Sequence, residues 1–197
     1  SIIQFERHSV AAGTEHLDNI FNAIKDKLGL KIKYQPFTKC EPYEWIVHPY
    51  LLKEYRNRWF LIGRVGDANK VSNLALDRIL KISNSRVPFI ENDLLDPETF
   101  YNDMIGVTVA ENDVPEYIEI RVAIGSVPYI LTKPIHFSQE TLHKYKDGSI
   151  KIGMKLIHNF ELRSLLLSYG PGIQVLKPTS LRDKLKEELE KAVELYK

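Results

Sequence analysis

The spacing of apolar residues changes from helical to alternating early in this chain. Between residues 14 and 28, Leu17, Ile20, Phe21, Ile24 and Leu28 fall on one face of a helix. Thr14 is placed to cap its start, Lys25 and Lys27 suit its last turn, and Gly29 is placed to stop it. From residue 30 the period drops to two: Leu30, Ile32 and Tyr34 alternate with Lys31, Lys33 and Gln35, the pattern of a half-buried strand. Further strands are predicted at 45–48, 59–65 and 71–82, with Gly66-Asp67-Ala68-Asn69 as a hairpin turn, and a short extended segment at 2–5. One helix followed by several closely spaced strands predicts a small, strongly bent sheet or barrel.

Residues 83–115 break the pattern with Pro88, Pro97, Pro115 and a scatter of Asn, Asp and Glu, and read as a connector in which 97–101 form a helical turn or two. A second patterned region follows. A strand is predicted at 117–124, a short helix at 126–132 with Pro128 in its first turn, and a hairpin of 136–143 and 149–157 around Lys146-Asp147-Gly148. A helix at 160–169 stops at Gly170-Pro171-Gly172, and a short strand occupies 173–176. The last helix follows Pro178, with Ser180 as its cap and Leu181, Leu185, Leu189 and Ala192 as its apolar face. Strand-helix-strand-strand-helix-strand is the order of a ferredoxin-like split unit. The chain is therefore read as α+β: a barrel over residues 1–90, a connector over 91–115 and a ferredoxin-like domain over 116–197.

Composition narrows the chemistry. The 197 residues are 44% hydrophobic and 27% charged, enough apolar material for real cores. The net charge of +1 means that any anion binding must be local, since a domain that holds nucleic acid by bulk charge is more basic. A single cysteine, Cys40, rules out an internal disulfide framework, and no apolar run approaches the ~20 residues of a membrane helix. A reducing, cytoplasmic setting is expected, with no membrane partner. The chain opens on Ser1 rather than methionine, and a further N-terminal part is expected before it.

The local excess of charge lies in Arg56-Asn57-Arg58-Trp59-Phe60-Leu61-Ile62-Gly63-Arg64 and in Asp77-Arg78. Arginine is rarely buried without a partner, and its planar fork fits phosphate or carboxylate; solvation at the surface is the plain alternative for each. Asp77 and Arg78 read either as an ion pair closing a strand or as ligand contacts. His48, extended before Pro49, donates to an anion or to a backbone carbonyl. Tyr50 and Tyr55 stack a base or line the barrel mouth, and Trp59 stacks or simply packs. The candidate ligand-binding set is His48, Tyr50, Arg56, Arg58, Trp59, Arg64 and Arg78. Catalytic signals are missing: there is no phosphate-binding glycine loop before a helix, no H-E-x-x-H, no nucleophile beside a base, and no metal-ligand spacing among His136, His143 and His158. No enzyme activity, cofactor or metal is expected.

Three motifs occur in order: His48-Pro49-Tyr50-Leu51-Leu52, then Trp59-Phe60-Leu61, then Asp77-Arg78-Ile79. In this the stretch from Tyr34 to Ile79 resembles the WYL domain, and residues 116–197 resemble the C-terminal extension that often follows it in bacterial transcription factors. Phe60 departs from the family's Tyr, removing a hydroxyl donor, and Ala75 stands where many members have an arginine. The resemblance implies an Sm-like or SH3-like barrel with an N-terminal helix. It also implies a ligand-sensing role in a regulator whose winged helix-turn-helix domain, absent here, contacts duplex DNA. The implied ligands are nucleotides or single-stranded nucleic acid, and a homodimer is expected. The competing reading is a protein–protein interaction module without a small ligand, its arginines pairing with acidic residues across an interface.

Overall fold

Alternation decides the first sheet. In β1 (Leu30–Tyr34), Leu30, Ile32 and Tyr34 are buried while Lys31 and Lys33 are exposed. The strand pairs antiparallel with β2 (Tyr43–Tyr55), so that Leu30, Ile32 and Tyr34 lie opposite Val47, Trp45 and Tyr43. Tyr34, Trp45 and Tyr43 stack in succession at centroid spacings of 5.4 and 5.2 Å. The computed structural model describes residue 2 and residues 11–109 and 113–197; the segment expected at 2–5 lies, apart from Ile2, outside them. The protein is α+β, with two antiparallel sheets and few helices. It divides into two compact units, the first ending at Phe100 and the second beginning at Tyr101.

In the first unit, β3 (Arg58–Val65), β4 (Ser72–Ala75) and β5 (Ile79–Asn84) complete a sheet in the order β4-β3-β2-β1-β5. The single strand expected at 71–82 is two strands, broken by a 3-10 turn at Leu76–Arg78. The break keeps both Leu76 and Ile79 in the core and turns β5 onto the far edge, against β1. The first helix, α1 (Leu17–Lys25), buries Ile20 and Ala23, but Phe21 and Leu28 are exposed. Thr14 makes no capping hydrogen bond. The helix ends at Lys25, and the left-handed Lys27 (φ 53°) turns the chain, with Leu28 N–H donating to Ala23 O; Gly29 is not its stop.

A bulge in β2 sets which side chains face the core. Pro49 lies opposite Gly63 and Leu51 opposite Ile62, leaving Tyr50 as the extra residue. Without it, Val47 and Leu52, five positions apart, would point to opposite faces; with it, both pack on the core together with Leu61, Trp59 and Val65. Arg58, Phe60, Ile62 and Arg64 consequently share the other face of β3. The strands approach so closely here that a Cβ on Gly63 would lie 2.3 Å from His48 O. The β2–β3 hairpin closes through Arg56 and Asn57, both left-handed (φ 49° and 61°), the geometry of a two-residue type I′ turn.

The second unit runs β6 (Glu116–Val122), α2 (Val127–Thr132), β7 (Glu140–Lys144), β8 (Ile150–Leu156), α3 (Phe160–Ser168), β9 (Ile173–Lys177) and α4 (Thr179–Glu194). Its sheet order is β7-β8-β6-β9, and every neighbouring pair is antiparallel. Ile118, Ile120, Val122, Ile152, Met154 and Leu156 pack with Ile130, Leu162, Leu166, Leu181 and Leu185 from the helices. Asn159 caps α3 by accepting from Leu162 N–H and donates to Ile105 O and Thr108 O, while Glu161 accepts from the Val107 and Thr108 amides. Residues 105–108 are thereby fixed to this unit. Ser180 lies inside α4 and Pro178 holds the cap position, with no side-chain cap bond.

Replacing Gly63 with Ala is expected to destabilise the first unit by about 1–3 kcal/mol, because its Cβ meets backbone that cannot rotate away. Urea unfolding followed by tryptophan fluorescence checks this as a lower midpoint at unchanged slope.

Candidate anion-binding site

Each candidate residue owes its position to the β2–β3 hairpin or the turn after β4. They fall into two groups at opposite ends of β3's outward face. Arg58 and Arg64 are six positions apart, roughly 20 Å along an extended strand.

The first group centres on Asp77, whose side chain is only 12% exposed. Arg58 Nε lies 3.3 Å from one of its oxygens and Arg78 Nε 4.0 Å from the other. The Arg78 guanidinium also sits over the Phe37 ring, 4.3 Å from its centroid. Burial raises the Tyr34 phenol above its usual range, an effect opposed by the nearby Arg78 charge. Trp59 is half-buried and packs against the core. Arg56, at the hairpin tip, lies 5.4 Å from the centre of the Tyr55 ring. Ala75 is buried opposite Phe60, and its amide donates to Tyr34 Oη.

The second group joins His48, Tyr50 and Arg64. His48 and Arg64 are cross-strand neighbours, and all three are buried. Residues 89–93, which sequence reasoning did not place at the site, run across them. Phe89 meets the His48 and Tyr50 rings edge-on at 5.8 and 6.0 Å. Ile90 N–H donates to His48 Nδ1 at 3.2 Å, Tyr50 Oη donates to Ile90 O at 3.1 Å, and Arg64 pairs with Asp93. The sequence signal for this strap was the apolar pair Phe89-Ile90 followed by the polar run Glu91-Asn92-Asp93. Among the described residues, Arg64 Nε is buried without a hydrogen-bond partner, and no group of three metal-ligating side chains occurs.

Two comparisons with known proteins bear on this geometry. Residues 15–83 match the WYL domain model, and residues 115–193 match the WCX domain model. The chain thus carries a WYL domain followed by a WCX domain. The WYL match spans α1 and all five strands of the first sheet, and the WCX match covers β6 to α4 almost entirely. No curated protein sequence matches the chain. Among solved structures, a CRISPR Cas-related protein superposes on 93% of the chain with a TM-score of 0.52 and 11% identity, a likeness of fold. Proteasome accessory factor B/C (PafBC) of Arthrobacter aurescens aligns over 97% of the chain at 18% identity and a TM-score of 0.39. The chain spans 52% and 28% of those two proteins' lengths.

Burial, and then the Arg64 charge, hold the His48 imidazole below its ordinary value of 6.5. Below that pH the unfolded chain takes up a proton that the folded site refuses. The contribution to stability is therefore full above 6.5 and is lost as the pH falls toward the folded value. The melting temperature of the first unit is expected to drop between about pH 7.5 and about pH 5.5, and His48→Gln to shrink that drop. Calorimetry at the two pH values compares them.

Proposed function

We propose that this chain is the ligand-sensing and oligomerisation part of a bacterial transcriptional regulator, in which the WYL domain binds an anionic ligand. The ligand class is a nucleotide or, better, a short single strand of nucleic acid. One observation carries this choice: Arg58 and Arg64 share one face of β3, with the half-buried Phe60 and the buried Ile62 between them. A stripe roughly 20 Å long exceeds the reach of a mononucleotide but matches a few linked nucleotides. Local cations beside aromatic surface hold single strands without bulk charge, in keeping with a net charge of only +1. On this reading the first unit is an Sm-like barrel, supported by a sheet in which β5 returns to the free edge of β1 and by the preceding helix. The second is a ferredoxin-like unit, supported by its element order and by β6 lying between β8 and β9. The function is binding rather than catalysis, in a cytoplasmic setting, and duplex DNA is met only by a domain outside this sequence.

Fluorescence anisotropy with short single-stranded DNA and RNA and with cyclic nucleotides tests the reading. Binding at low salt is expected, with Arg58→Ala and Arg64→Gln each weakening it about tenfold. Each lost phosphate contact is expected to reduce the slope of log K against log salt by about 0.7. No binding of any probe at low salt overturns the reading.

A homodimer through the second unit accompanies this proposal. Beyond the buried Leu181 and Leu185, α4 carries Leu189 and Val193 along the same side, and both are more than half or about half exposed. The double change Leu189→Glu and Val193→Glu is expected to shift the protein from dimer to monomer in sedimentation equilibrium without unfolding it.

A further inference from the structure

Arg64 presents an unusual combination. It is 7% exposed, its Nε has no partner among the described residues, and the carboxylate it pairs with belongs to a side chain that is 68% exposed. A guanidinium offers two parallel N–H groups along one edge, and a phosphate or carboxylate fills both. Asp93 engages only the terminal nitrogen, Nη2. The strap that carries Asp93 is held by few bonds: Ile90 N–H to His48, the Tyr50 hydroxyl to the carbonyls of Ile90 and Glu91, and Glu91 to Lys27 at 2.9 Å. The last is an exposed pair, and such pairs hold weakly.

We propose that Asp93 is a built-in occupant of the anion site, and that a ligand phosphate reaches Arg64 by displacing the Asp93 carboxylate and the strap with it. This rests on the reading of the site given above and adds its regulation. The bound phosphate takes both edge nitrogens of Arg64 where Asp93 takes one, so it is favoured once the strap has moved. The apparent affinity of the resting protein is its intrinsic affinity reduced by the fraction of molecules with the strap open. The same displacement frees Phe89 from the His48 and Tyr50 rings. Ligand binding thus produces a change in residues 89–93, within the first unit.

The test uses the full chain and a 5′-phosphorylated oligothymidylate as the probe, read by anisotropy at fixed salt. Asp93→Asn is expected to bind about tenfold more tightly than wild type. Glu91→Gln makes the same change in charge on the same strap without touching Arg64, and is expected to stay within about twofold of wild type. Arg64→Gln is expected to weaken binding about tenfold in either background. Without any ligand, the Ile90 amide is expected to exchange with deuterium faster in Asp93→Asn than in wild type. Equal affinities for Asp93→Asn and Glu91→Gln, with Arg64→Gln still impaired, overturn the displacement and leave the site standing. Unchanged Ile90 exchange in Asp93→Asn overturns it too. No binding by any variant, Asp93→Asn included, overturns the site and the displacement together.

Discussion

The extra residue in β2 is the constraint on which the first unit depends. A strand thirteen residues long cannot keep one face on a small curved core without slipping register, and the bulge at Tyr50 makes the correction. On one side of it Val47 reaches the core, and on the other Leu52 does. The same correction turns His48 and Tyr50 outward beside Arg64, where the strap meets them. Core packing and site geometry are therefore one solution: a deletion that straightened β2 would bury polar side chains and expose apolar ones together.

Electrostatics follow the same division of labour. Each end of β3 carries an arginine, and each is answered by a carboxylate from outside the strand. The answers differ in kind. Asp77 is itself mostly buried and shared between Arg58 and Arg78, in a 3-10 turn anchored by the buried Leu76. Removing it would leave Arg78, the more covered of the two arginines, without that carboxylate, which makes Asp77 part of the framework. Asp93 is largely exposed while its arginine is not, so solvent or another anion can take its place.

Much of this was legible in the sequence, for identifiable reasons. The alternation of Leu30, Ile32 and Tyr34 with lysines leaves one solution for β1, and the alternation of Ile118, Ile120 and Val122 and of Ile150, Ile152, Met154 and Leu156 with other residues does the same for β6 and β8. The motif order from His48 to Ile79 marked the family. What escaped was whatever depends on residues distant in sequence. The break at Leu76–Arg78 looks like continuous strand until β5 has to cross to the β1 edge. The left-handed Arg56 and Lys27 occupy conformations that favour glycine, so neither declares its turn by composition. The burial of Arg64 could not be read from the sequence, because its cover comes from a proline-bearing stretch more than two dozen residues later, with no period of its own.

Strand β7 is the one element of the second sheet with no buried side chain. It pairs on one side only, its register with β8 shifts between Thr141 and His143, and it carries Glu140, His143 and Lys144 outward. An unpaired sheet edge is an open template for another chain, and irregularity with charge is what discourages such growth. The protein thus keeps one margin of its second sheet blunt against aggregation, using residues whose loss would cost the hydrophobic core almost nothing.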